Sequence, residues 1–319
     1  MKRGWRLYLL LIAALLVSCA IGLGIGAVHL SPGDLFAPGV GQLRLARVLL
    51  TVVVGAGLSV AGVIFQALLR NPLAEPYVLG ASSGAGLAAA MVILMGWSVA
   101  GAWVLPGGAF VGSILTVALV YALARGSGGA LPIHSLLLAG VVVGAVLSSL
   151  LMFVVSIAPP ERVHNVMWWL LGNLQIFDWG LLRAATVLVV CGLGITILLA
   201  RDLNLMTLGE ESAAHLGLNV NQSRVLFFIL ASLITGAVVA AAGLIGFVGL
   251  IVPHSVRLAI GPDHRRLAPA SALVGATFLV LADAFARTIM APTEIPIGVV
   301  TACLGGPFFL FLLKRKRPV

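Results

Sequence analysis

The sequence has few charged residues. Asp, Glu, Lys and Arg make up 9% of the 319 residues, while 61% are apolar and the mean hydropathy is +1.16. Soluble domains carry about 25% charged residues. Uncharged runs of roughly 18 to 24 residues recur along the chain, and each is long enough to cross a bilayer core of roughly 30 Å. The composition therefore excludes a soluble globular protein. It predicts an all-α polytopic membrane protein, because the apolar runs are continuous and do not alternate with polar residues.

Lysine is scarce as well, since the chain contains only Lys2, Lys314 and Lys316, all at the termini. The glycine-rich stretch GASSGAG at 80–86 resembles a phosphate-binding loop at first sight. A P-loop ends in Gly-Lys-Ser/Thr, because its lysine reaches the phosphates. The absence of that lysine excludes the chain as the nucleotide-hydrolysing subunit of a P-loop machine.

Potential metal ligands and nucleophiles form no recognisable pattern. Cys19, Cys191 and Cys303 lie in apolar runs, where cysteine behaves as a small buried hydrophobe, and their spacing predicts neither a disulfide framework nor a metal site. The six histidines are scattered, without a His-Glu-x-x-His pattern. No nucleophile–base pair appears in an apolar run, so we predict no catalytic residues and no resident metal.

The apolar runs predict one domain over 1–319 with ten transmembrane helices and both termini in the cytoplasm. The first run continues to about Val28, which favours a span over a removed secretory signal. Five arginines (44, 47, 162, 183 and 287) fall outside in this topology and the other basic residues inside, as the positive-inside rule requires. The predicted spans are 7–28, 48–69, 77–95, 103–124, 136–157, 180–200, 225–242, 244–259, 267–290 and 297–313.

Two segments are too broken to cross a membrane. The stretch 158–179 contains prolines, charges and tryptophans, which predicts an amphipathic helix on the outer surface, acting as a lid over a pore mouth. The stretch RNPLAEP at 70–76 predicts a cytoplasmic turn, because Pro72 and Pro76 forbid a continuous helix.

The longest polar interruption runs over 201–224. Thr207 and Glu210 have the spacing of a capping box, and Gly217 is placed to end a helix. The pattern predicts a helix of about two turns, from about Leu208 to Leu216, along the cytoplasmic face. A soluble protein could contact such a loop.

Charged residues near the predicted spans leave alternatives open. Asp283 is the sole acid well inside a span, and a proton relay is one interpretation. Pairing with Arg287, four residues later on the same helix face, is the structural alternative. Arg44, Arg47 and Arg287 lie towards the outer surface, against the positive-inside bias. Lipid headgroups and an acidic soluble partner explain them equally well.

Several stretches, in one order from about Arg44 to the C-terminus, resemble the permease family of ABC importers for iron-siderophores, haem and cobalamin. These stretches are LRLARVLL at 43–50, LLRNPLAEPYVLGASSGAG at 68–86, LLLAG at 136–140, GEESAAHLG at 209–217, GFVGLIVPHSVRLAIGPDHRRL at 246–267, LADAFAR at 281–287 and IPIGVVTACLGGPFFLFLL at 295–313.

The resemblance implies a subunit of the bacterial cytoplasmic (inner) membrane that pairs with a second copy of itself, with the cargo passing along the seam. Two P-loop ATPase subunits would use ATP and Mg, and an extracytoplasmic substrate-binding protein would deliver the cargo. The chain itself would bind no cofactor. Membrane lipid is an expected partner and nucleic acid is not.

The resemblance also implies roles for particular residues. The stretch 201–224 would be the coupling loop, and its residues matching the ATPase-coupling helix are Gly209, Glu210, Glu211, Ala213, His215, Leu216 and Gly217. The arginines matching the docking site for the binding protein are Arg44, Arg47 and Arg287. The residues matching the cytoplasmic gate are Asn71, Leu73, Ile133 and His134.

These expectations define one leading function and two rivals. The leading hypothesis is a permease subunit, not itself an enzyme, that imports an iron(III)-siderophore or a related metal chelate with ATP hydrolysed in trans. The same machine importing cobalamin or haem is the first alternative. The second is an ion-coupled secondary transporter, which would need Asp283 and would work without nucleotide.

Overall fold

A computed structural model of the protein describes residues 4–26, 39–126, 131–175 and 178–315. In these ranges the regular structure is entirely helical. The helices are α1 (Gly4–Gly24), α2 (Val40–Leu68), α3 (Ala81–Leu94), α4 (Val104–Ala124), α5 (Ile133–Ser156), α6 (Pro160–Leu170), α7 (Trp179–Leu198), α8 (Ala200–Thr207), α9 (Glu210–His215), α10 (Val220–Ala242), α11 (Val248–Ile260), α12 (His264–Thr288) and α13 (Ile297–Arg315).

Most of the predicted spans coincide with helices of membrane-crossing length. Among the described residues, seven helices are long and apolar enough to cross a membrane: α1, α2, α4, α5, α7, α10 and α12. The shorter apolar helices α3, α11 and α13 lie at the third, eighth and tenth predicted spans. The prediction of an all-helical polytopic protein is confirmed. The count of ten crossings and the cytoplasmic placement of both termini stay predictions.

Helix α2 forms the centre of the fold. In its most apolar 18 residues, 78% are buried, a share that α10 matches. A Cβ on Gly62 would overlap the carbonyl oxygen of Gly249 in α11, and a Cβ on Gly55 would overlap that of Gly275 in α12. Since apolar burial gives little drive between helices in lipid, such close backbone approach supplies the packing. Helix α2 is thus held directly against α11 and α12.

Helices α1 and α5 lie at the periphery. In their most apolar 18 residues, only 11% and 22% are buried. The outward face of α5 presents large apolar side chains, among them Leu138, Val141 and Phe153. These faces can be covered only by lipid or by another subunit.

The break between α10 and α11 falls at Gly243, between the predicted spans 225–242 and 244–259, and its φ of +70° favours glycine. The linker after it is held by the segment that follows α2. The Phe247 N–H donates to the Glu75 carboxylate (2.6 Å), and the Tyr77 hydroxyl lies 3.0 Å from both the N and the O of Ile245. Burial raises the pKa of Glu75, and the bond from Phe247 partly offsets this.

The two segments predicted not to cross behave as the composition suggested. Residues 70–76 form no α-helix, and Pro76 opens a short 3₁₀ turn, Pro76–Leu79. Within 158–179 the structure forms α6, whose Trp169 is buried against the neighbouring helices. The helix and the turn are therefore confirmed, while the outer placement of α6, its role as a lid and the cytoplasmic placement of the turn stay predictions.

Candidate functional site

The polar stretch 201–224 folds into two short helices, α8 and α9, before α10 begins. The capping box predicted at Thr207 is wrong. Thr207 is the last residue of α8, where its hydroxyl donates to the Asn204 carbonyl (2.7 Å), whereas an N-cap residue must be extended. Gly209, with a φ of +109°, precedes α9 instead. The helix is consequently shorter than the predicted range from Leu208 to Leu216.

The end of α9 follows the prediction. Gly217 has a φ of +85°, and its N–H donates to the Ala214 carbonyl (2.9 Å). The next N–H, of Leu218, donates to the Ala213 carbonyl (3.0 Å). This pair of bonds is a Schellman motif, which satisfies carbonyls at a helix end and needs the left-handed conformation that glycine adopts at no steric cost.

Helix α9 stands on one buried residue and presents the rest of its surface outward. Ala213 is fully buried, while Glu211, His215 and Leu216 are exposed. Leu208, just before the helix, is exposed too. An apolar and acidic surface of this kind, on a short helix with a buried anchor, can be contacted by a separate protein.

The Glu210 carboxylate connects α9 to the rest of the protein. Its Oε1 lies 2.7 Å from Nη2 of Arg224 in α10 and 3.3 Å from Nη2 of Arg70, just after α2. Arg224 is buried, and its Nη1 donates to the carbonyl of Leu131 (2.6 Å). The Leu131 N–H in turn donates to Oδ1 of Asn221 (3.1 Å).

The predicted gate residues lie directly beside these contacts. Asn71 follows Arg70, and its Oδ1 accepts a bond from the Leu73 N–H (3.0 Å). Ile133 opens α5, two residues after Leu131, and is buried, whereas His134 is exposed. Their role as a gate stays a prediction.

The three predicted docking arginines come together at one end of α2 and α12. Arg47 pairs through Nη2 with Asp283 (2.8 Å) and through Nη1 with Glu294 (2.9 Å). Arg287 pairs with the other oxygen of Asp283 (3.0 Å), which confirms the predicted pairing at i and i+4. Gln175 donates to Glu294 (2.6 Å). We call Arg47, Asp283, Arg287 and Glu294 the ion-pair cluster.

Arg44 and Arg287 also bind the end of α1. Arg44 donates to the Leu23 carbonyl (2.9 Å), and Arg287 donates to those of Gly22 (3.0 Å) and Ile25 (3.1 Å). Cations are favourable there, because the last carbonyls of a helix lack partners and carry partial negative charge. All three arginines thus have internal partners, and their docking role stays a prediction.

Sequence reasoning did not find Arg224, Leu131 or Glu294. Arg224 pairs with a residue 14 positions earlier, and Glu294 pairs with Arg47, 247 positions earlier, so no local spacing reveals either contact. For Arg224, the only signal in the sequence was a basic residue at the start of an apolar span. Within the described ranges, no group of three or more His, Cys, Asp and Glu residues is close enough to hold a metal ion.

The fold and the exposed polar loop together define a polytopic helical membrane protein with a surface that a separate protein can contact. The FecCD transport family model matches residues 12–315, which is nearly the whole chain. The chain belongs to the FecCD transport family.

Curated relatives confirm the class. The hemin transport system permease protein HmuU of Yersinia pestis is 40% identical over 324 residues, covering 98% of this chain and 96% of the relative. The cobalamin import system permease protein BtuC of Halobacterium salinarum is 43% identical over 278 residues, covering 87% of this chain and 74% of the relative. Similar identity to permeases for two different cargoes means that identity alone does not select a cargo.

A solved structure shares the fold. An ABC transporter of the metal-chelate type, in an inward-facing conformation, matches with a TM-score of 0.87 and 32% identity, covering 97% of this chain and 98% of the other. The helix arrangement described above is therefore that of an ABC transporter subunit.

Proposed function

We propose that this chain is the permease subunit of an ATP-driven importer that carries an iron(III)-siderophore or a related metal chelate into the cytoplasm. The likeness to the metal-chelate transporter over 97% of the chain carries the proposal. The scarcity of charge along the apolar helices also suits a bulky, partly apolar cargo better than a bare ion, which needs ligands. Haem and cobalamin, the cargoes named for the two relatives, are the alternatives.

A second copy of the chain completes the passage in this proposal. Two cavities in the described part of one chain, lined in part by Phe110 and by Trp168, hold about 220 and 240 Å³. Pockets that enclose a drug-sized ligand have roughly 300–1,000 Å³. Neither of these two cavities accommodates a chelate of that size or larger, and the proposed passage lies at a seam between two copies. The peripheral, apolar face of α5 is available for such a seam.

ATP is hydrolysed by separate P-loop ATPase subunits, two for each pair of permeases, in the bacterial cytoplasmic membrane. The missing Walker lysine of this chain supports that division of labour. Helix α9, with exposed Glu211, His215 and Leu216 around buried Ala213, is the surface that the ATPase contacts. When nucleotide closes the ATPases, α9 shifts and the gate residues next to its contacts move with it.

A substrate-binding protein docks at the opposite end, near Arg44, Arg47 and Arg287. The region holds the three guanidinium groups of these arginines and the two carboxylates of Asp283 and Glu294, and this excess of positive charge favours acidic residues of a partner. Arg47 has the more exposed of the two cluster arginine side chains, at 14% against 5% for Arg287, and is the better placed of these two for a direct contact.

The proposal is tested by reconstituting the chain in proteoliposomes with its cognate ATPase and substrate-binding protein. We expect ATP-dependent uptake of a labelled ferric siderophore, with haem and cobalamin measured in parallel. If only cobalamin or only haem were taken up, that compound would be the cargo and the ferric siderophore would not. Uptake by this chain without ATPase or ATP would overturn the importer and favour the ion-coupled transporter. Asp283 is paired with both Arg47 and Arg287, which disfavours a proton-carrying role.

A further inference from the structure

One carboxylate oxygen, Oε1 of Glu210, contacts two arginines that belong to different parts of the fold. Arg224 lies in the second turn of α10, and Arg70 lies in the linker after α2. Glu210 is the first residue of α9. The carboxylate therefore joins α9 to two segments that the chain itself separates by many residues.

The contact to Arg224 continues to the start of α5. Arg224 binds Glu210 through Nη2 and the Leu131 carbonyl through Nη1, so its two terminal nitrogens have separate partners. Leu131 is fully buried, and its N–H is held by Asn221. Both the backbone N–H and the backbone carbonyl of Leu131 are thus held by side chains of α10, two residues before α5 begins at Ile133.

Arg224 has few other partners. Its side chain is 6% exposed, and its Nε has no hydrogen-bond partner among the described residues. A buried guanidinium needs an opposite charge, because water does not reach it to compensate. Glu210 supplies that charge, so the position of Arg224, and with it the hold on Leu131, depends on the carboxylate.

The contact from Glu210 to Arg70 is weaker, but it reaches the other predicted gate segment, which contains Asn71 and Leu73. Both side chains are largely exposed, at 40% for Arg70 and 50% for Glu210, and such pairs are weak in water. Arg70 has a φ of +48°, a left-handed conformation that costs energy for a residue other than glycine. Asn71 follows it directly. The ion pair therefore attaches at a strained residue of the linker after α2.

We propose that Glu210 and Arg224 are positioning residues that link α9 to the start of α5, with Arg70 as a weaker second link to the end of α2. Movement of α9 would then be passed by Arg224 to the backbone of Leu131 and so to Ile133 and His134. This inference rests on the proposed function, since it assumes that α9 is moved by an ATPase.

The variants Glu210→Gln, Arg224→Gln and the double variant test this link in the reconstituted transporter, with Arg125→Gln as control. Arg125 directly follows α4, is exposed, and has no side-chain partner among the described residues. The measurement is cargo imported per ATP hydrolysed, with co-purification of the ATPase measured separately. Each single variant is expected to lower the ratio at least ten-fold while the ATPase still binds and hydrolyses ATP.

The double variant distinguishes a link from two independent effects. If Glu210 acts through Arg224, the double variant loses no more than the worse single one, whereas independent effects multiply. Arg70→Gln is expected to lower the ratio by no more than about three-fold, because its ion pair is solvent-exposed. Unchanged coupling in Glu210→Gln, or multiplied losses, would overturn the proposal.

Two further results separate this proposal from its alternatives. Arg224→Lys keeps the charge, but a single amine does not reproduce the two-pronged contact, so coupling should still fall. It replaces Arg224→Gln if that variant fails to fold, and normal coupling in it would contradict the link. Loss of ATPase binding in Glu210→Gln would make Glu210 a direct contact instead. A wild-type transporter without ATP-dependent uptake would refute the proposed function itself.

Discussion

Asp283 is the residue whose removal the structure makes most consequential for stability. Its carboxylate is 2% exposed and receives Arg47 on one oxygen and Arg287 on the other. In Asp283→Asn the size of the side chain is kept and the charge is lost. Two guanidinium groups from different helices would then face each other without the anion between them.

The magnitude follows from what each arginine retains. Removing one partner of a buried ion pair costs roughly 3–5 kcal/mol, because an uncompensated charge stays buried. Arg47 keeps Glu294, and Arg287 keeps two carbonyls of α1, so the lower end applies. We expect a loss of about 3 kcal/mol in the free energy of unfolding. That corresponds to a fall in Tm on the order of 5 °C for a chain of this size.

The assay is thermal unfolding of the purified protein in detergent, with Glu294→Gln as the matched comparison. Glu294 is 25% exposed and contacts Arg47 alone of the cluster arginines, so its loss should cost about 1 kcal/mol or less. Equal Tm values for wild type and Asp283→Asn would refute the ion-pair argument. Loss of uptake with an unchanged Tm would indicate that Asp283 acts in transport itself.

Three further predictions use other parts of the molecule. Reversing the charge of the exposed Glu211 to Lys should leave Tm unchanged but abolish the coupling of ATP hydrolysis to uptake. Full coupling in this variant would mean that α9 is not the surface that the ATPase contacts. Gly62→Ala would place a methyl group on the Gly249 carbonyl and cost about 3 kcal/mol or more, whereas Gly24→Ala meets nothing within 4 Å and should unfold like wild type. Since burial raises the folded-state pKa of Glu75, its protonated form is favoured in the fold. Wild-type stability should therefore fall relative to Glu75→Gln as pH rises above about 4.3, and parallel Tm curves for the two proteins would contradict this.

The helices were predictable because a membrane leaves little choice. Backbone groups in lipid must bond within their own segment, so an apolar run of sufficient length is helical whatever its neighbours. Local chemistry also fixed two breaks, at Gly217 and Gly243, where the backbone is left-handed. The capping box at Thr207 failed because α8 continues through that residue and buries Leu203 and Met206, which the spacing from Thr207 to Glu210 does not reveal.

In the candidate site, too, local contacts could be predicted from the sequence and distant ones could not. Asp283 and Arg287 are four residues apart on one helix, so their ion pair follows from helical geometry. The bond from Arg47 to Asp283 spans 236 positions, and that from Arg70 to Glu210 spans 140. Contacts at such separations depend on how whole helices pack, which a single sequence does not reveal. The family resemblance pointed to α9, but not to the residues that attach it.

The glycine contacts of α2 have a mechanical consequence. Residues Ala61 and Val63 flank Gly62, so turning α2 about its axis would drive their side chains into the backbone of α11. Because interiors pack densely and do not deform continuously, α2, α11 and α12 must travel as one rigid body. Any change of shape then falls to elements without such interlocking. Helix α5 stands apart from this rigid body: one of its sides is largely exposed, and a close backbone contact, from Gly140 to Leu79, joins it to the short turn before α3.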